Sequence, residues 1–552
     1  MKKVRLNLRL LFLLFILPVY GFVFSRSRGV KTITENELRY HMEFLGAKEF
    51  RGRETPSSEL EIATLYLGNW AKNIGLKPIM KDGSFYQTVP ITVTSVFQPN
   101  TRIKISRGSG EQIYYYGKAF GGNFTGSGTY SGRVVFAGLG ISDPENGWDD
   151  LKDINLTGKV VIIMDEQAPG YKYDLGFSIS RRLRSRVNEI RTRGAAAVFS
   201  IVSNERAELM ASGIKIFDDI PSGSMGTLYD SQRTSFTTAT KPSDNKPPSY
   251  PFGQAEISHE LAAEILGLSQ NEIGDMFRMI KDGEQVPAKE IEDVRVQLDV
   301  ELEFYESTSR NVVAVVEGSD PVLKNEYIVI SGHHDHLGLS DREVMPGADD
   351  NCSATVALME IAGALLTERP KRSVILAWFT AEEKGMNGSH YFINNCPVDV
   401  VNISTCLNMD MIARNHPDSL FLIGSDLLSS ELDVSINKVN KSSGLKFAFD
   451  YRYSNLIHPQ RVYFRSDHYP FIRFGIPSVW FFSGFTPDYH TPRDVKESIV
   501  YAKFLKITKL VYLTAFDIGN MKDILSLDVN PMVTSRGEHN LKESSIFRGV
   551  ER

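Results

Sequence analysis

The sequence predicts an α/β protein, a mixed sheet with helices on both faces, interrupted by an inserted, mostly-β module. Three observations predict it. From about Asn311 to Met521, apolar runs of strand length alternate with segments of helical period, the pattern of a sheet covered on both sides. From roughly Thr101 to Ser249 the texture changes to short β-prone runs between turn residues. Imidazoles and carboxylates recur just after the body's apolar runs, where open α/β sheets hold their ligands. At 552 residues the chain is long for one domain, and 42% hydrophobic content is enough for a large core. The formal net charge of -5 gives no basic footprint, which excludes nucleic acid as an expected partner. Three cysteines (Cys352, Cys396, Cys406) cannot form a disulfide framework, and the odd count leaves at least one without an internal partner.

Taken in order, the chain opens with Lys2, Lys3, Arg5 and Arg9 before an apolar run from Leu10 to Phe24. The run is shorter than the ~20 residues a spanning helix needs, so residues 1–26 read as an export signal or, uncleaved, as an anchor. The body is then expected outside the cytoplasm, secreted or periplasmic, and at a membrane only if the segment is retained. Residues 33–100 form the first part of the main domain, with ELEIATLYLGNWAKNIGLKP at helical spacing and a Gly near its end. Residues 101–295 are the inserted module, with GRVVFAGLGI and GKVVIIMDE as strands, an Arg-rich helix before GAAAVFSIV, and a Pro/Ser-rich loop, TKPSDNKPPSYPFG. Within it, SHELAAE lacks the second histidine of a zinc helix, Ala263 taking that position, and reads as a helix capped by Ser258. Residues 296–525 carry the strands EYIVISG, SVILAWFTA, STCLNMDMI and PSVWFFSG between helices. Residues 526–552 are polar and unpatterned, a loose tail.

The strand ends carry the chemistry. SGHHDHLG places His333 after a strand and Asp335 two residues on; a ligating imidazole usually gives its other N–H to a carboxylate or carbonyl. His334 should face the other side of an extended strand, and His336 stays undecided. PGADDNCSA places Asp349 and Asp350 before a helix, where capping is a sufficient role for either one. FTAEEKGMNGS sets Glu382 beside Glu383, LNMDMIAR puts Asp410 in an apolar run where an unpaired carboxylate is expensive, and DYHTPRD supplies His490. Any one of these has an ordinary structural explanation, but their recurrence at five strand ends does not. Two Zn²⁺ ions would be neutralised by the carboxylates of Asp350, Glu383 and Asp410 with one hydroxide, and the neutral imidazoles of His333 and His490 would complete the shell. Oxygen and nitrogen donors suit zinc, with cobalt or manganese as substitutes. Such ions ~3.5–4 Å apart make hydroxide at neutral pH and polarise a carbonyl, the chemistry of amide hydrolysis.

In these motifs the chain resembles the co-catalytic di-zinc aminopeptidases related to bacterial leucyl aminopeptidase and vacuolar aminopeptidase Y. SGHHDHLG, GADDNCSA, TAEEKGMNGS, LNMDMI and YHTPRD occur in the family's order, and the likeness covers nearly all of Glu35 to Met521. The resemblance implies the zinc exopeptidase fold. It implies Asp335 as the support of His333, Asp350 as the bridge between two zinc ions, Glu382 as general base and Glu383 as ligand. It pairs His333 with Asp410 on one metal and His490 with Glu383 on the other, and gives Tyr489 a part in stabilising the oxyanion. Ser466, Asp467 and His468 of RSDHYPF also match a family segment and read as structural. GRVVFAGLGI, GWDDLKDINLTGKVVII and RGAAAVFSIV resemble the protease-associated domain, expected as a substrate rim. Ala354 and Cys352 depart from the usual residues around the bridging motif without removing a ligand.

The expected function is therefore a secreted di-zinc metallo-exopeptidase, an aminopeptidase acting on peptides. A glutamate-carboxypeptidase-like enzyme is the alternative on the same fold, and a glutaminyl cyclase or a receptor-like binding protein on an inactive scaffold come behind it. No G-x-S-x-G elbow, Walker loop or dinucleotide fingerprint is present. Asn123, Asn155 and Asn402 begin Asn-x-Ser/Thr acceptor sites that matter only in a glycosylating host.

Overall fold

A computed structural model describes residues 27–122, 124, 126–167, 169, 179–211, 252–340, 343–456, 458, 460–528 and 535–537. The N-terminal signal or anchor, most of the Pro/Ser-rich loop, Asn123 and most of the tail lie outside them. No helix among the described residues is long and apolar enough to cross a membrane. The described residues divide into two units: those within Met1–Ile91 and Ser307–Arg552 form unit 1, those within Thr92–Thr227 and Thr237–Glu306 form unit 2. These limits fall outside the 101 and 295 read from composition. The strands Tyr86–Val96 and Leu302–Val316 continue across both boundaries, so texture does not change where the division falls.

After a short helix, Arg28–Thr32, unit 1 continues with helix α1 (Glu35–Leu45), which Thr34 caps by accepting from the Glu37 N–H, and α2 (Ser58–Asn73), capped by Ser57. The acidic residues of each first turn, Glu35 and Glu37, Glu59 and Glu61, complement the helix dipole. Its sheet is built on β1 (Leu302–Val316), β2 (Tyr327–His333), β3 (Ser373–Phe379), β4 (Ile403–Met409), β5 (Ser419–Ile423), β6 (Ala448–Asp450) and β7 (Ser478–Phe482), in the spatial order β1-β3-β2-β4-β7-β5-β6. The four central strands, β3, β2, β4 and β7, run parallel, while β1 pairs antiparallel to β3, β5 antiparallel to β7, and β6 parallel to β5. The sheet is mixed, as expected, and the parallel centre brings four C-terminal strand ends to one edge. Register fixes the alignment there: His333 is opposite Phe379, and Met409 opposite Phe481.

Alternation explains how the strands bury both faces. Val312, Ala314, Ile328, Ile330, Val374, Leu376 and Trp378 join one core with helices α3 (Ser353–Thr367), α5 (Ser430–Ser443) and α7 (Tyr501–Gly519). Their neighbours Val313, Val329, Ile375, Ala377 and Phe379 join the opposite core, with Phe392 of α4 (Asn387–Asn394) and Phe471 of α6 (His468–Arg473). Each buried Val, Leu, Ile or Phe among them contributes about 1.5–3 kcal/mol by leaving water. Trp378 also donates its indole N–H to the Thr355 carbonyl at 3.0 Å, so its one polar atom is not stranded.

Unit 2 has its own eight-stranded sheet and core, in which Gly128–Phe136, Val160–Met164, Ala197–Ile201 and Gly253–Ile257 are parallel neighbours. Among the described residues four helices accompany it, Ile179–Thr192, Asn204–Ala211, His259–Leu266 and Gln270–Lys281. Ser258 caps the third by accepting from the Leu261 N–H at 3.1 Å, while His259 meets the Val202 carbonyl.

Candidate metal centre

Each central strand of unit 1 leads at its C-terminal end to a candidate ligand or base: His333 at the end of β2, Glu382 and Glu383 after β3, Asp410 after β4 and His490 in the loop after β7. His333 is the final residue of β2 and is buried. Its Nδ1 donates to the Asp335 carbonyl at 3.1 Å, with the Asp335 carboxylate at 3.7 Å. The support expected from Asp335 thus reaches the ring more closely through the backbone. Its carboxylate accepts instead from the Glu382 N–H (3.1 Å) and the Thr55 hydroxyl (3.1 Å), tying the ends of β2 and β3 to the loop after α1.

Asp350 lies in the turn between Gly347, whose φ of 60° is left-handed, and α3. The backbone N–H groups of Asp349 and Asp350 both donate to the Asp494 carboxylate, which fixes the turn. Asp349 points away and accepts from the Ala413 N–H at 2.7 Å. Asp410 follows β4; its Oδ2 accepts from Ser466 at 2.6 Å and its carbonyl from Trp480 at 2.9 Å. Ser466, read as structural, therefore orients one candidate ligand directly. His490 follows β7, and its ring stacks on Tyr489 with centroids 3.7 Å apart.

The distances separate two groups that share Asp350. His333 Nε2 is 3.4 Å from Asp350 Oδ1 and 3.5 Å from Asp410 Oδ1, while Glu382 Oε2 is 3.8 Å away. His490 Nε2 is 3.1 Å from Asp350 Oδ2 and 3.4 Å from Glu383 Oε2. A tetrahedral zinc with bonds of about 2.0–2.1 Å separates its donors by about 3.3–3.4 Å, so both groups fit the ion. His333 Nε2 supplies a second test: it is buried without a hydrogen-bond partner among the described residues, a state that coordination would resolve. The donor set is all nitrogen and oxygen, which suits zinc.

Charge separates the twin glutamates. Burial raises Glu382, and although His333 opposes it, Glu383 and Asp410 keep its carboxyl well above the usual range. Burial acts on Glu383 too, but His490 and hydrogen bonds from His336 and His490 carry it well below. The two neighbouring carboxyls are thus pushed in opposite directions by their surroundings. Burial is likewise overcome at the imidazoles: Glu382 and Asp410 hold His333 well above its ordinary value, and Glu383 with Asp350 lifts His490 to about 10.

About 270 Å³ of empty volume adjoins these groups, lined by Asp350, Glu382, Glu383, Asp410, Met411, Arg465, Trp480, Phe485 and Tyr489. Tyr489 Oη accepts from Arg465 at 3.1 Å. His334 turns away: its Nδ1 donates to the Phe379 carbonyl, its Nε2 meets Thr64, and burial lowers it to about 4. His336 turns inward, against Glu383. Arg465, Thr55 and Asp494 were not picked out by sequence reasoning, and His336, left undecided there, had the repeated histidine of HHDH as its signal. A further group, Glu37, His41 and Glu360, gathers between α1 and α3, with His41 3.9 Å from Glu360.

Fold and cluster together define a class: α/β proteins that gather carboxylates and imidazoles at the C-terminal ends of parallel strands. Residues 311–515 match the model of peptidase family M28. The chain is 30% identical over 231 residues to a probable leucine aminopeptidase 2 of Aspergillus oryzae, covering 40% of this chain and 44% of that one. It is 23% identical over 307 residues to leucine aminopeptidase 2 of Trichophyton rubrum, covering 54% and 51%. The chain thus spans about half the length of the curated relatives it matches. Among solved structures, the fold is shared with an aminopeptidase from Aneurinibacillus sp. strain AM-1 (TM-score 0.51, 18% identity, 91% of this chain and 98% of that one). It is shared also with a peptidase M28 precursor from Shewanella amazonensis (0.52, 18%, 93% and 99%).

Proposed function

We propose that the chain is a di-zinc exopeptidase that removes N-terminal residues from peptides. The observation that carries this reading is Asp350, whose two oxygens each lie at a zinc-edge distance from a different imidazole. His333, Asp410 and Asp350 would hold one ion, and His490, Glu383 and Asp350 the other. Bound there, the pair supplies Lewis acidity to the scissile carbonyl and lowers the pKa of the attacking water. Glu382, raised and facing the same space, takes the water's proton and returns it to the leaving amine. Tyr489 lines the space with its hydroxyl held by Arg465, placed to donate to an oxyanion. The relatives' leucine aminopeptidase names support the N-terminal assignment. We read unit 2 as the protease-associated module.

The test is a panel of free, N-acetylated and C-amidated peptides, run alongside metal analysis. An aminopeptidase requires the free amine and ignores amidation, and the protein should hold about two zinc ions. Cleavage that needs a free C-terminus and tolerates acetylation would make it a carboxypeptidase; full activity without metal would end the zinc reading.

A further inference from the structure

Glu383 has two oxygens, and only one faces His490. Oε2 is the atom 3.4 Å from His490 Nε2. Oε1 accepts a hydrogen bond from His336 Nδ1 at 2.8 Å, shorter than the zinc edges on either side of Asp350 and normal for N–H to carboxylate. His336 Nδ1 is 3.9 Å from Asp350 Oδ2, too far for a comparable bond. The ring's Nε2 has no hydrogen-bond partner among the described residues, so the bond to Glu383 is what its polar atoms contribute.

The ring is also held where it is. The His336 N–H donates to the Arg53 carbonyl, and the buried Arg53 guanidinium donates to the carbonyls of His334, Pro346 and Gly347. One buried arginine therefore ties the loop bearing His336 to the loop bearing Asp350. Gly347 makes room for the imidazole: a Cβ there would come within 2.5 Å of its ring atoms.

We infer that His336 is a positioning residue that holds Glu383 to single-oxygen coordination and so sets the affinity of the His490-side metal alone. This rests on the di-zinc reading above. Hydrogen bonds to ligating groups commonly change metal affinity 10–100-fold, and here the effect should fall on one of two ions.

The experiment titrates metal-depleted full-length protein with zinc against a chromogenic chelator, resolving two binding steps. His336→Leu should weaken one step ~10–100-fold and leave the other unchanged. His336→Asn, whose amide nitrogen can occupy the place of Nδ1, should restore most of the loss. Unchanged affinities in His336→Leu would overturn the inference, as would equal loss at both steps. An Asn variant as weak as the Leu variant would also overturn it, because a donor in that place would then not suffice. A wild-type protein that binds fewer than two zinc ions would instead defeat the di-zinc reading, before any variant is compared.

Discussion

In unit 2 the strand Val160–Met164 runs out into Asp165; in unit 1, β4 runs out into Asp410. Both aspartates follow a fully buried strand, and burial raises both. Asp165 has a permanent cation beside it, with Arg186 at 3.5 Å also donating to the carbonyls of Leu139 and Met164. Asp410 meets an imidazole, His333, that is itself shared with Asp350 and Glu382. The first strand end closes on its own charge. The second gathers anions around groups that are neutral in water near pH 7, and that imbalance is what a divalent ion corrects. A buried carboxylate at a strand end is thus no signal by itself; the identity of its countercharge is.

The largest effect should come from removing the shared carboxylate. Asp350→Ala takes a donor from both groups, so metal analysis should find both ions lost and turnover undetectable. Retention of one tightly bound zinc would show that the two groups do not depend on Asp350.

Next come the twin glutamates. Glu382→Gln keeps the shape and should keep about two metals, while kcat falls ~10²–10⁴-fold. Glu383→Gln should loosen one metal, with excess zinc partly restoring rate. The reverse pattern would exchange the two roles.

In unit 2 the corresponding change should cost stability and no metal. Arg186→Met leaves Asp165 without its cation and should destabilise the protein by about 3 kcal/mol in denaturant unfolding. Lost zinc in a folded Arg186 variant would contradict the contrast between the two strand ends.

The smallest effect concerns Glu360 on α3, raised to about 7 by burial and then by Glu37. Its folded pKa exceeds the unfolded value, so the stability it contributes is present at low pH and lost as pH rises through about 7. Glu360→Gln should melt a few degrees above wild type near pH 8 and close to it near pH 5. A variant that melts lower near pH 8 would show that the ionised carboxylate is stabilising there, through His41 or a bound cation.

The body's strands and helices were legible because period 2 and period 3.6 are local properties, written in runs such as EYIVISG and SVILAWF. The five strand-end motifs followed from the same runs. The helices of unit 2 were less legible; SHELAAE, for example, declares its cap but not its packing. The choice between Asp349 and Asp350 came only through family likeness. In the fold Asp494, some 145 residues away, grips both backbone N–H groups, and the Ala413 N–H holds the Asp349 carboxylate.

By itself, then, the sequence determined the α/β alternation, the order of the chemical motifs and the absence of cysteine from the donor set. Tertiary structure decided which atoms face each other: Asp350 Oδ1 toward His333 and Oδ2 toward His490, Oε1 of Glu383 toward His336, and His334 buried against Phe379 and Thr64. Periodicity fixes the face from which a side chain leaves a strand. Its rotamer and the oxygen it presents are fixed by partners such as Thr55, Arg53 and Ser466, which arrive from distant parts of the chain only when the sheet has assembled.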